Sequence, residues 1–155
     1  MAEGVSASSL QAGFVELASI VHALHGDWSA PVTGYDGWTC HDLLAHLSST
    51  QTSLAAVAES STKPAPEGGV PFDPNRWNAS QVRKRAEKDP QELLNEFDSG
   101  TTQLVDALSD LDMEKKVTVG AFPGYTLRDA MAEMLDHQRH HLDDLRAALH
   151  AHPEL

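Results

Sequence analysis

An all-α four-helix bundle is the architecture this sequence predicts, on three observations. Four long stretches space their apolar residues three and four apart, the period of one helix face. Strand and helix patterns never alternate, so a parallel sheet has nothing to build on. A proline- and glycine-rich stretch follows the second helix and supplies the long crossover that some bundles use.

The first helix covers about residues 9–24, where Leu10, Phe14, Leu17, Ile20, Val21 and Leu24 share one face. Gly26, Pro31, Gly34 and Gly37 then interrupt the pattern. Thr39 with Asp42 forms a capping-box-like pair ahead of an apolar run, so a second helix spans about residues 40–59. In STKPAPEGGVPFDPN, four prolines exclude a regular helix or central strand. A loop this long is expected either to cover a site or to be disordered. Residues 78–88 look helical and polar, and Asp89-Pro90 then supplies an N-cap with proline at the first position of a third main helix, about 90–111. Gly100 is a weak point inside that helix. Val117-Thr118-Val119 is β-prone but lacks a partner strand, and reads as extended loop. Thr126 with Asp129 repeats the cap signature, and the last helix covers about residues 127–149. GWTCHDLLAHL (37–47) and GYTLRDAMAEM (124–134) therefore start alike, which one shared cap with a stapling aromatic explains without internal duplication.

The chain has 155 residues, which fits one domain, 1–155. Its single cysteine, Cys40, forms no intramolecular disulfide, and residues 1–10 lack a basic then apolar signal pattern, so a cytoplasmic location is expected. No apolar run reaches membrane-spanning length. A formal net charge of −12 repels nucleic acid and anionic membrane surfaces, so neither is an expected partner. The basic run Arg83-Lys84-Arg85 sits beside Glu87, Lys88 and Asp89 and reads as a solvated helix face.

Nine histidines remain to be placed. The last helix has its apolar stripe through Leu127, Ala130, Met131, Met134, Leu145 and Leu149. Taking Met134 as its centre, His141 falls about 20° away, His137 about 60° and His140 about 120°. His137 and His141 thus belong to the buried face at i, i+4, where two imidazoles converge on one ion, and His140 points outward. His46 lies at the edge of the second helix's apolar face, opposite that pair, and would complete three nitrogen ligands. Glu133, also i, i+4 with His137, ranks behind His141 as a ligand. The alternative is that HxxxH arises by chance and the imidazoles hydrogen-bond to neighbours. His22, His25, His41, His150 and His152 read as surface or capping residues.

GWTCHDLLAHL, followed far downstream by TLRDAMAEMLDHQRHHLDDL, resembles the DinB-like superfamily, which includes YfiT-type proteins and the metal-binding domain of mycothiol-dependent maleylpyruvate isomerases. The resemblance implies an up-up-down-down bundle that holds one divalent metal through His46, His137 and His141. It also implies chemistry with a low-molecular-weight thiol such as mycothiol or bacillithiol, and homodimerisation. With the sequence ending at Leu155, no counterpart of those isomerases' additional C-terminal domain is expected, so the expectation rests on the metal site and not on isomerisation.

Three imidazoles leave an incomplete coordination sphere, the mark of a catalytic site. Zinc is the first expectation, with nickel or iron as alternatives. The leading function is a thiol S-transferase acting on an electrophilic small molecule, in which the cation activates the thiol. A hydrolase that activates water and a non-catalytic, metal-binding, stress-associated bundle stay open beside it. Cys40 as nucleophile, Trp38, Tyr125 and Trp77 as pocket walls, and Arg128 or Arg139 as carboxylate binders are the weaker options; packing and solvation account for them more simply.

Overall fold

The computed structural model describes residues 6–65, 67 and 72–151. Among these are five α-helices and no strand: α1 (Ala7–His22), α2 (Cys40–Glu59), α3 (Pro74–Lys84), α4 (Pro90–Asp110) and α5 (Leu127–Ala151), with a short 3-10 turn (Ser60–Thr62) closing α2. The all-α bundle is as expected, built from α1, α2, α4 and α5.

The caps act as the sequence signals them. Thr39 and Asp42 make both halves of a capping box on α2, and Asp89 accepts from the Glu92 amide ahead of Pro90. The helix expected over 78–88 begins earlier and ends at Lys84. Asp73-Pro74 repeats the cap-plus-proline pair of Asp89-Pro90, so the last proline of the proline-rich stretch starts a helix where it was expected to belong to the loop.

Two links that precede helices share a fold. Before α2, Val32 N donates to Trp38 O (3.0 Å), Cys40 N to Ala30 O (2.8 Å) and His41 N to Trp28 O (2.8 Å). Before α5, Val117 N donates to Tyr125 O (2.9 Å), Leu127 N to Lys115 O (2.7 Å) and Arg128 N to Met113 O (3.0 Å). Each link holds one isolated antiparallel bridge, Pro31 with Thr39 and Lys116 with Thr126, and turns on a left-handed glycine, Gly37 or Gly124. The 117–119 segment is thus extended and bridged rather than free. The echo between the two helix starts reaches upstream of the caps, further than a shared cap requires.

These compact links join α1 to α2 and α4 to α5, while the long proline-rich crossover and α3 join α2 to α4. Gln11 of α1 bonds Val105 and Ser109 of α4 and His22 meets Asp98, so α1 and α4 are antiparallel. His41 bonds Lys88, Ser48 bonds Leu93 and Gln51 bonds Thr101, so α2 and α4 run parallel. His46 faces His141 while Gly13 of α1 faces Leu135 and Gly26 faces Leu149, which sets α5 against α2 and along α1. The order is therefore up-down-down-up, and corrects the up-up-down-down expectation. Only the middle link is long enough to carry the chain back along the bundle.

A single apolar cluster drawn from all five helices fills the interior. In α2 every residue from 43 to 51 is buried, the condition of a helix surrounded by neighbours. Two of its polar members are satisfied by α4: Ser48 Oγ donates to Leu93 O (2.8 Å) and Gln51 Nε2 to Thr101 Oγ1 (2.9 Å). Gly100, the expected weak point, is where α4 touches α2; a Cβ there would lie 2.9 Å from the Gln51 carbonyl. No described helix is long and apolar enough to cross a membrane.

The two helix-interior glycines should respond differently to alanine. At Gly100 the obstacle is backbone, so Gly100→Ala should cost about 1–3 kcal/mol in denaturant unfolding. At Gly13 the nearest atom is the end of the flexible Leu135 side chain, and the helix-propensity gain of up to about 1 kcal/mol should offset most of the strain.

Candidate metal centre

His46 lies two turns into α2, and His137 and His141 lie on successive turns of α5. His141 Nε2 is 3.3 Å from His46 Nε2 and 2.9 Å from His137 Nε2, and one nitrogen from each ring falls within 4.8 Å of the others. The three residues the spacing singled out are brought together. Gln138 fixes the register that does this. Wholly buried between the helices, its Nε2 donates to Leu47 O (3.1 Å) and Gln51 Oε1 (3.0 Å), so α5 cannot slide along α2.

Burial departs from expectation in two places. The core stripe of α5 passes through Met131, Leu135, Gln138, Leu142, Leu145 and Leu149, with Met134 only half-buried. His137 is consequently exposed and His141 half-buried, at the rim of the core stripe rather than within it. Conversely His46, expected at an edge, is 4% exposed, because α2 is enclosed on all sides.

Burial also sets the protonation states. It is the first cause holding His46 down to about 3, followed by repulsion from His141 and His137. His141 is held down to about 4, again first by burial and then by His137, with Asp144 opposing. His137 is lowered by burial and by His140. All three rings are therefore neutral at pH 7, the state in which imidazole is a ligand.

Tyr35 and Asp144 complete the arrangement, and sequence reasoning missed both. Tyr35 Oη donates to Asp144 Oδ2 (2.6 Å), since a carboxylate can only accept, and so its oxygen accepts from His141 Nδ1 (2.6 Å). That tautomer leaves His141 Nε2 with a free lone pair aimed at the other two rings. Burial and then the Asp144 hydrogen bond raise the Tyr35 phenol above its usual range, which keeps it a donor. Nothing in the YDG stretch around Tyr35 signals this role. Asp144, one turn beyond His141, could have been suspected from spacing.

This donor set suits a borderline divalent cation such as zinc, nickel or iron, not an oxygen-seeking one such as calcium. His46 presents Nε2 to the other two rings, while its Nδ1 is buried without a hydrogen-bond partner among the described residues. Three convergent neutral imidazoles could therefore hold a metal ion.

The remaining candidates fall outside. Glu133 is exposed and not in the cluster. His140 is exposed, as expected. His41 bonds the Lys88 carbonyl (2.6 Å) and pins α2 to the start of α4, while His22 pairs with Asp98 (2.7 Å). His152 lies outside the described residues. Cys40 is 0% exposed, and burial pushes its thiol up, away from a nucleophile. Arg128 pairs with Glu114, and Arg139 lies on the α1 side of α5. Arg85 belongs to no solvated run, since it bonds Glu96 at 2.6 Å. Trp38 stacks on Tyr35 and lies 5.6 Å from the His46 ring, a packing anchor, while Tyr125 is exposed against Phe122.

A cavity of about 580 Å³ opens beside the histidines, with His46 and His137 in its wall. Phe72, Asn75, Trp77 and Asn78 line it from the far side. The end of the proline-rich stretch and α3 therefore cover a site, one of the two alternatives for that stretch, and Trp77 is a wall residue after all.

Residues 10–146 match the family model of the mycothiol maleylpyruvate isomerase N-terminal domain, which is most of the chain and includes all three histidines. The chain belongs to this family. A member of the mycothiol maleylpyruvate isomerase N-terminal domain family is a DinB-like domain, as the two resembling stretches suggested. No curated protein and no solved structure matches the chain.

Two outcomes follow from the geometry. Tyr35→Phe and Asp144→Asn should each weaken divalent-ion affinity about 10- to 100-fold in chelator competition, with little change in helix content. In metal-free protein the depressed imidazoles bind protons less readily folded than unfolded, so their contribution is present above 6.5 and lost as pH falls towards 4 and then 3. Thermal midpoints of chelator-treated protein should fall over that window, and His46→Leu should flatten the slope.

Proposed function

We propose that this bundle is a divalent-metal-dependent S-transferase that joins a low-molecular-weight thiol to an electrophilic small molecule. The observation that carries the reading is the convergence of three neutral imidazoles, two of which, His46 and His137, line a cavity with a mainly apolar wall. His46, His137 and His141 are the proposed ligands, with zinc ahead of nickel or iron. Held there, the cation supplies the positive charge that favours the thiolate form of a thiol. The family's name makes mycothiol the first thiol to test.

The chain's own residues do the rest. Burial keeps His46 and His141 unprotonated at neutral pH, and Tyr35 with Asp144 holds the His141 ring in its ligand tautomer. Leu54, Val57, Phe122 and Met134 give the cavity beside the ligands an apolar wall. Sulfur forms a bond to the electrophilic carbon, the displaced group leaves with the bonding pair, and the thiol proton passes to solvent.

Protein purified without a histidine tag should carry about one divalent ion per chain, and His46→Ala and His141→Ala should lose it. Full metal content in both variants would overturn the ligand assignment. Consumption of an electrophile such as monobromobimane should require added thiol. Turnover without thiol would indicate hydrolysis, and silence with every thiol tried would leave a metal-binding protein without chemistry; either overturns the transferase reading.

A further inference from the structure

We infer that the cavity beside the histidines binds an uncharged, largely apolar small molecule, which in the transferase reading is the electrophile. The inference rests on that reading for the ligand's role, but binding requires neither metal nor thiol. Among the described residues lining the cavity there is no lysine, arginine, aspartate or glutamate. Its breadth comes from Leu54, Val57, Phe72, Trp77, Phe122 and Met134.

Size and charge both select the ligand. About 580 Å³ is within the range of sites that enclose small organic ligands. A carboxylate entering this space would give up its hydration with no cationic side chain to pair with, in a chain whose formal net charge is −12. Polar recognition is confined to neutral groups: Asn75 and Asn78 of α3 on one side, Thr50 and Ser53 of α2 on the other. The Ser53 hydroxyl already donates to Thr50 O (2.7 Å), so towards a ligand it offers only lone pairs.

Aromatic residues supply part of the cavity wall. Phe72 and Trp77 stand 6.1 Å apart with their planes tilted by 56°, Phe72 in the segment just before α3 and Trp77 within it. Opposite them, Gly120 takes a left-handed φ of +92° that lets the 119–122 segment close over Val57; a Cβ at Gly120 would lie 3.1 Å from Val57 Cγ2. Phe72, Trp77 and Phe122 thus offer aromatic surface to a ligand in a cavity that also reaches His46 and His137.

The test is direct binding to the full chain, before and after chelator treatment. The probe is N-phenyl-1-naphthylamine, neutral and fluorescent in apolar surroundings, with methyl 1-naphthoate and 1-naphthoate as competitors. The ester should displace the probe at least about tenfold more tightly than the carboxylate, with metal-stripped protein giving the same order. Val57→Arg should reverse that preference, and Trp77→Ala should weaken probe binding about fivefold or more while circular dichroism shows the helices intact. If Val57→Arg fails to fold, Phe72→Ala, at a more exposed position, should still weaken the probe. No probe binding by the wild-type chain, equal affinity for ester and carboxylate, or unchanged binding in the folded variants would each overturn the inference. Probe binding by protein that holds no divalent ion as purified would count against the transferase reading alone.

Discussion

The contact between α2 and α5 through Gln138 is the constraint on which the site depends. Its amide spans two carbonyl acceptors on α2, Leu47 O and Gln51 Oε1, and Gln51 passes the chain of hydrogen bonds on to Thr101 of α4. A glutamine in an apolar stripe costs more than a leucine unless it is paired; here Nε2 is paired twice, at one axial offset between the helices, while Oε1 is buried without a partner among the described residues. That offset puts His46 level with His137 and His141. An apolar residue at 138 would pack at several offsets; the polar one selects a single register.

Enclosure of α2 then determines the chemistry of the centre. A helix surrounded by neighbours carries its histidine into the interior, and the lost hydration makes a charged imidazolium unfavourable there. Of the two histidines of α5, at the rim of the core stripe, His137 lines the cavity beside His46. A donor set with one deep ligand and two shallower ones leaves room on the open side, the arrangement suited to a small molecule approaching the centre. The Asp144–Tyr35–His141 chain has a similar logic: a carboxylate near the surface acts on a half-buried ring through a phenol whose proton burial protects.

The crossover ties fold and site together. Because the links before α2 and α5 are compact, one long connection between α2 and α4 must return along the bundle, and among its described residues Phe72 and the first turns of α3 line the cavity. Asp73 caps α3 there, Trp77 and the exposed Phe72 line the cavity, and Arg85 fastens the far end to Glu96. A segment required by topology thus also walls the site.

Much was legible in the chain itself. Helix caps are local hydrogen-bond signals, so Thr39, Asp89 and Thr126 placed three helix starts, and the i, i+4 spacing on one helix was enough to pair His137 with His141. The two resembling stretches identified the family that residues 10–146 match. What the sequence could not determine concerns which surfaces meet. A stripe counted from apolar residues passes over Gln138, so the core of α5 was misplaced and its histidines were expected deeper than they are. Enclosure of His46, the approach of Tyr35 from a distant link, the up-down-down-up order and the uncharged cavity all depend on packing between elements far apart in the chain. Local periodicity decides which side of a helix is apolar; only the tertiary structure decides how many neighbours cover it, and for a histidine that difference sets both its charge and its role.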